Sequence, residues 1–79
     1  MTVFFLLVAC GYHHGDRDGC ADGTTNGTAD GCADASAGLP ADPSPGTRPP
    51  EVTAYDRGYD AGWDRCFPSA YTASYSACR

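Results

Sequence analysis

The chain contains no lysine, and its five basic residues are all arginines. Ten acidic residues outnumber them, which leaves a net charge of −5 over 79 residues. An acidic chain without a basic patch repels the phosphate backbone of nucleic acids, so we expect no nucleic-acid partner.

Large aliphatic side chains are also scarce, because only Leu39 and Val52 occur after the first nine residues. A chain of this length buries a modest fraction of its surface and usually needs disulfides, a metal or a partner to fold. The sequence therefore excludes an ordinary aliphatic core. The candidates for burial are aromatic: Tyr12, Tyr55, Tyr59, Trp63, Phe67, Tyr71 and Tyr75.

No apolar run approaches the ~20 residues that a transmembrane helix needs. The longest one, Val3 to Val8, has the character of the apolar stretch of an export signal, so residues 1–9 are predicted to be a cleaved signal peptide. The alternative is a buried N-terminal strand that carries a core cysteine.

The end of this stretch, Leu7-Val8-Ala9-Cys10, resembles the lipobox of bacterial lipoproteins. The resemblance implies that the Cys10 thiol receives a diacylglyceryl group, that cleavage occurs just before it, and that a further acyl chain such as palmitate follows. It places the protein outside the cytoplasm, lipid-anchored in the cell membrane or outer membrane. It also accounts for the odd cysteine among five, a number typical of an oxidising compartment.

A second, shorter resemblance covers six residues from Gly19 to Thr24 (GCADGT). They look like the opening of small cysteine-containing lipoproteins of deltaproteobacteria, a group without an assigned activity. This similarity supports the same compartment.

A four-residue repeat runs through the remainder of the chain. In residues 10–37 it places glycines at Gly11, Gly15, Gly19, Gly23, Gly27 and Gly31, and polar residues at Asp18, Asp22, Asn26, Asp30 and Asp34. In residues 53–79 it gives an aromatic column of Tyr55, Tyr59, Trp63, Phe67, Tyr71 and Tyr75. Each aromatic follows a small residue: Ala54, Gly58, Gly62, Cys66, Ala70 and Ser74, with Cys78 continuing the column.

These columns predict a small, mostly α-helical hairpin of two repeat segments. A period of four exceeds a full helical turn by about 40° per step. Thr53 and Asp56 match a capping box at the start of the second segment, and Phe67-Pro68 predicts a stop. Each interior glycine costs about 1 kcal/mol relative to alanine, so the first segment needs its partner and disulfides. Disorder of residues 11–53 is the alternative, given their low apolar content.

The proline-rich residues 38–52 separate the two segments. Proline excludes both helix and central strand, so this part is predicted to be an extended linker. A plain spacer is favoured over a ligand for an SH3-like domain.

Cysteine spacing suggests how the segments are joined. In an antiparallel hairpin, residues that face each other have a constant sum of positions. The pairs Cys20–Cys78 and Cys32–Cys66 both satisfy this condition, so we predict these nested disulfides. A bridge that closes such a long loop contributes a few kcal/mol by restricting the unfolded chain.

The sequence offers no catalytic or cofactor motif. No register of the Asp-rich repeat satisfies an EF-hand, and no nucleophile elbow, P-loop or dinucleotide fingerprint is present. His13 and His14, beside Asp16 and Asp18, are candidate zinc ligands, but adjacent histidines point in different directions. We interpret them as a polar tether and predict no metal, no cofactor and no enzyme activity.

The predicted function is that of a lipid-anchored envelope protein with a non-catalytic structural or interaction role. The alternative is a secreted disulfide-rich peptide or weak metal-binding module. Tyr59, Trp63 and Phe67 are predicted to be buried in the hairpin. Tyr71 and Tyr75 follow Pro68, so they are predicted to be more exposed and to contact a protein partner. Alternatively, these two tyrosines close the end of the core beside Cys78.

Overall fold

The structure is a computed structural model that describes residues 2–79, with side chains from Cys10 onward. Its two helices are α1 (Thr2–Ser36) and α2 (Ala54–Cys78), and an extended segment connects them. They pack against each other and are linked by two disulfides. The predicted mostly α-helical, disulfide-stapled fold with a proline-rich linker is confirmed, and the described residues from 11 to 53 form a defined helix and linker.

The two helices are parallel, unlike the antiparallel arms of an ordinary hairpin. One disulfide joins Cys20 to Cys66 and the other joins Cys32 to Cys78, with Cα–Cα distances of 5.0 and 5.1 Å. Both bridges span 46 residues. The positions of the two bonded cysteines thus differ by the same number in both disulfides, whereas antiparallel helices would give pairs with the same sum of positions. The two helices are therefore parallel.

The predicted nested pairs, Cys20–Cys78 and Cys32–Cys66, are therefore wrong. They assumed that the proline-rich residues reverse the chain once, as a turn does. Instead, segment 37–53 returns along the helices, so that α2 begins beside Gly11. The return from Ser36 to that point covers about 38 Å of α1. Segment 37–53 reaches about 50 Å at ~3.1 Å per residue in a polyproline conformation, which is long enough.

Glycines allow the helix backbones to touch. An ideal Cβ placed on Gly27 would lie 2.5 Å from the carbonyl oxygen of Phe67, and one placed on Gly19 would collide with the backbone of Tyr59. Gly58 of α2 is in the same relation to the carbonyl oxygen of Tyr12 on α1. No side chain fits at these positions, so the glycines serve interhelical contact at the expense of local helix propensity.

The contact continues along the pair, from Gly11 against Ala54 to Cys32 against Cys78. Two straight helices would lose such a contact, because columns of period four rotate by about 40° per step. A repeat longer than 3.6 residues stays in contact when the helices wrap around each other with right-handed twist. The four-residue repeat thus predicts a right-handed twist for this pair of helices.

The start of α2 has the predicted capping box. The Thr53 hydroxyl accepts a hydrogen bond from the Asp56 backbone N–H, and the Asp56 carboxylate accepts from the N–H of Thr53, all at 3.1 Å. The N–H of Val52 donates to the same carboxylate. These backbone hydrogen bonds, that of Thr53 first, lower the pKa of Asp56.

The predicted stop at Pro68 is wrong, because α2 continues to Cys78. Pro68 lacks an N–H and cannot make its own helical hydrogen bond. Its neighbours compensate for that loss: Phe67 and Tyr71 are buried, with 6% and 1% of their surface exposed. The disulfides at Cys66 and Cys78 hold the helix on both sides of the proline.

Candidate functional site

Cys10, the predicted lipidation site, is the free cysteine of the described residues and is exposed. The interhelical contacts described above begin one residue later, at Gly11. Cleavage just before Cys10 would therefore leave all of those contacts in place. In residues 2–79, no helix combines the length and apolar character needed to span a bilayer. The two disulfides indicate an oxidising, exported compartment.

The aromatic column of α2 forms a continuous stack of six rings, which we call the aromatic ladder. Its members are Tyr55, Tyr59, Trp63, Phe67, Tyr71 and Tyr75. Successive ring centroids are 5.6 to 6.2 Å apart. Such offset contacts add stabilisation beyond the burial of apolar area. The ladder takes the place of the missing aliphatic core.

Three tyrosines of the ladder donate hydrogen bonds from their hydroxyls to carboxylates of α1. The bonds join Tyr55 to Asp18 (2.7 Å), Tyr59 to Asp22 (2.6 Å) and Tyr71 to Asp34 (2.5 Å). Each pair is 37 residues apart, as expected for parallel helices in register. The bond to Asp22, together with burial, raises the pKa of Tyr59 to about 12.

Where the ladder has no hydroxyl, the interhelical bond is absent. The same offset of 37 residues would pair Trp63 with Asn26 and Phe67 with Asp30, and neither aromatic side chain carries a hydroxyl. The Trp63 indole N–H donates instead to the carbonyl oxygen of Pro45, at 3.0 Å. Both columns were visible in the sequence, but the antiparallel assumption placed them out of register, so the hydrogen bonds between them were missed.

The linker covers the other side of the ladder. The Tyr75 hydroxyl donates to the Leu39 carbonyl at 2.6 Å, and the Asp42 N–H donates to the Tyr71 hydroxyl at 3.0 Å. With the bond from Trp63 to Pro45, these contacts follow the linker backwards along α2. The ladder therefore lies between α1 on one side and the linker on the other.

This arrangement corrects the predicted exposure of the tyrosines. Tyr71 is the most buried side chain of the described residues, and Tyr75 is half-buried with its hydroxyl bonded to the linker. Pro68, which precedes both tyrosines, does not change the direction of the helix. The reason for predicting that they contact a partner therefore no longer applies. Of the residues predicted to be buried, Phe67 is, whereas Tyr59 and Trp63 are half-buried.

The half-buried rings line a cleft between the linker and the first half of α2, which we call the linker cleft. Its volume is about 340 Å³. Its walls are formed by Arg48, Pro49, Pro50, Asp56, Tyr59, Asp60 and Trp63. Apolar rings, carboxylates and one guanidinium thus meet in one concave surface, which is the combination expected of a small-molecule site.

Arg48 anchors the linker at this cleft. Its guanidinium donates to Asp60 at 2.8 Å and also to Asp64, and its Cζ lies 5.7 Å from the centroid of the Trp63 ring. The side chains of Arg48 and Asp60 are 17% and 19% exposed. A cation beside an indole and paired with the half-buried carboxylate of Asp60 is held more firmly than a surface ion pair, whereas Asp64 is exposed.

His13 and His14 are not placed together with further metal ligands among the described residues. His13 and His14 are exposed, with ring centroids 6.3 Å apart. Of the nearby carboxylates, Asp16 accepts two hydrogen bonds from the Arg65 guanidinium, which lower its pKa. Asp18 accepts from Tyr55. Among the described residues, no group of three His, Cys, Asp or Glu side chains is placed to hold a metal ion.

Comparison with known proteins found no matching family model, no matching curated protein and no matching solved structure.

Proposed function

We propose that this protein is an exported lipoprotein, attached to a membrane through an acylated Cys10, with a non-catalytic binding role. The observation that carries the proposal is the position of Cys10. It is exposed, it takes part in neither disulfide, and it lies immediately before Gly11, where the interhelical contacts of the described side chains begin. A lipid at this residue would leave the helix pair intact.

The anchor and the linker cleft lie near the same end of the helix pair. Gly58 of α2 contacts Tyr12 of α1, and residues on either side of Gly58 line the cleft. Acylation of Cys10 would therefore hold the cleft close to the membrane surface. One acyl chain gives marginal, reversible binding, so stable attachment requires the two or more chains of a fully modified cysteine.

The experiment compares the wild-type protein with Cys10→Ser, using metabolic labelling with an alkyne fatty acid, membrane fractionation and mass spectrometry of the mature N-terminus. The wild type should carry the label, sediment with membranes and begin at Cys10. Cys10→Ser should lose the label and be released or remain uncleaved.

The matched control is the double variant Cys20→Ser with Cys66→Ser, which removes one disulfide and leaves no new free thiol. It should keep the lipid label, because its lipobox is unchanged. Soluble, unmodified wild-type protein that begins at a residue other than Cys10 would contradict the anchor. It would favour the secreted disulfide-rich peptide instead.

A further inference from the structure

The linker cleft carries an excess of negative charge around two aromatic rings. Arg48 is the cation of its wall, whereas Asp56 and Asp60 are both anionic and line the same space. Asp64, which shares Arg48 with Asp60, adds a further carboxylate beside it. A concave, partly desolvated surface with this balance concentrates cations and repels anions.

The carboxylate of Asp60 is available to a second donor. Its Oδ1 atom accepts from Arg48, whereas its Oδ2 atom has no hydrogen-bond donor among the described residues. The ring of Tyr59 forms the adjoining wall, and its hydroxyl is directed away to Asp22 of α1. The ring lies 6.2 Å from each of its two ladder neighbours, so a ligand reaches only the part of it that borders the cleft, next to the free carboxylate oxygen. An aromatic ring beside a carboxylate with a free oxygen is an arrangement that attracts ammonium and guanidinium groups.

Arg48 demonstrates this chemistry with a group of the protein itself. Its guanidinium lies over Trp63 and pairs with Asp60 and Asp64, beside the open space of the cleft. From these observations we propose that the linker cleft binds a small organic cation with an ammonium or guanidinium head, between the ring of Tyr59 and the carboxylate of Asp60. This inference goes beyond the lipoprotein proposal and is independent of it, since residues 48–63 form the cleft whether or not Cys10 is acylated.

The test uses Trp63, which is the only tryptophan of the chain and lies in the cleft wall, so its fluorescence reports occupancy. The probes are tetramethylammonium and methylguanidinium chlorides, titrated at constant ionic strength against sodium chloride. Each organic cation should give a saturable change that sodium does not give. Absence of a saturable change with both probes would overturn the proposal.

Variants of the two walls identify the binding groups. Asp60→Asn and Tyr59→Leu should each weaken binding roughly three- to tenfold, whereas Tyr59→Phe should bind as the wild type because the ring remains. Asp30→Asn and Tyr75→Leu change the same residue types outside the cleft and should leave the affinity unchanged. Equal losses in these controls would mean that the fluorescence reports general destabilisation, and would overturn the site. Circular dichroism of each variant checks that it is folded.

Arg48→Gln tests whether the linker cleft prefers a cation to an anionic or neutral ligand. Removal of the internal cation frees Asp60, Asp64 and the face of Trp63, so the affinity for organic cations should rise. An anionic or neutral ligand would lose a hydrogen-bond donor and bind more weakly. Weaker tetramethylammonium binding by folded Arg48→Gln, or saturable binding of inorganic phosphate or glucose in place of the cations, would overturn the proposal.

The same chemistry occurs free in solution and in lipid headgroups. Vesicles of phosphatidylcholine, compared with vesicles of phosphatidylglycerol, separate the two sources. Vesicle binding that tetramethylammonium displaces, and that Asp60→Asn weakens, assigns the site to a headgroup. Response to the soluble cations alone assigns it to a free ligand, and either result supports a cation site.

Discussion

Because the helices are in close contact, we predict that glycine-to-alanine substitutions in α1 change the stability in opposite directions at different positions. A Cβ added to Gly11 would lie 3.9 Å from the Cβ of Ala54, its nearest neighbour on α2. A Cβ added to Gly23 would lie 3.2 Å from backbone atoms of α2, and one added to Gly27 would lie 2.5 Å from a backbone carbonyl oxygen. The same substitution, glycine to alanine, is thus an ordinary contact at one end and a collision further along. In all three cases alanine gains about 1 kcal/mol of helix propensity.

The steric cost decides the net effect. At Gly11 there is none, so Gly11→Ala should stabilise the protein by up to about 1 kcal/mol. At Gly27 the obstacle is a carbonyl oxygen, which cannot rotate away as a side chain can. Overpacking of this kind costs about 1–3 kcal/mol, and the cost falls in the upper part of that range because the disulfides oppose separation of the helices. After the gain in helix propensity is subtracted, Gly27→Ala should destabilise the protein by about 1–2 kcal/mol. Gly23→Ala should fall between them, near zero.

The assay is thermal unfolding of the oxidised protein, followed by circular dichroism. About 1 kcal/mol corresponds to roughly 4–8 °C in Tm for a domain of this size. Gly11→Ala should therefore raise Tm by about 5 °C, and Gly27→Ala should lower it by about 5–15 °C. If Gly27→Ala raised Tm as Gly11→Ala does, the helices would be further apart than the structure has them, and the argument for backbone contact would fail.

Three further predictions concern the bridges, the ladder and the cap. Non-reducing peptide mapping should recover two disulfides that each span 46 residues, and recovery of nested pairs would refute the parallel arrangement. The pKa of Tyr59 is about 12 in the folded protein, against 10 in the unfolded chain, so the neutral side chain stabilises the fold. This contribution is fully present below pH 10. This stability, about 1–2 kcal/mol after allowance for partial exposure, should be lost as the pH rises from 10 to 12. Urea titrations should show a smaller loss in Tyr59→Phe. Thr53→Ala should cost about 1 kcal/mol by removing the cap, whereas the exposed Thr72→Ala should cost little.

Local signals in the sequence predicted the start of α2 and the position of the linker, but not the end of α2, because the stop expected at Pro68 does not occur. The capping box at Thr53 and Asp56 marks the start of α2, and the proline-rich residues 38–52 coincide with the linker. The need for disulfides followed from the lack of aliphatic side chains. These inferences depend on neighbouring residues or on composition, which is why they needed no knowledge of the tertiary arrangement.

The relative direction of the two helices depends on contacts between residues that are far apart in the sequence. Cysteines spaced by twelve in both segments satisfy nested and parallel pairing equally well, so spacing alone does not choose between them. The choice depends on whether the linker turns once or returns along the pair. The burial of Tyr71 depends on the same point, because Asp34 of α1 and Asp42 of the linker reach its hydroxyl from opposite sides only in the parallel form.

The linker is a structural layer of this protein, and its composition suits that role. A segment packed on aromatic rings must satisfy or avoid each backbone N–H that it removes from water. Proline has no N–H, so it covers the ladder without this cost. Two intervening residues have their N–H groups satisfied: Asp42 donates to Tyr71, and Ser44 donates to the Asp42 side chain. Because the side chains from Cys10 onward form no aliphatic core, the ladder needs this second cover, and a linker long enough to provide it also brings α2 back to Gly11 of α1.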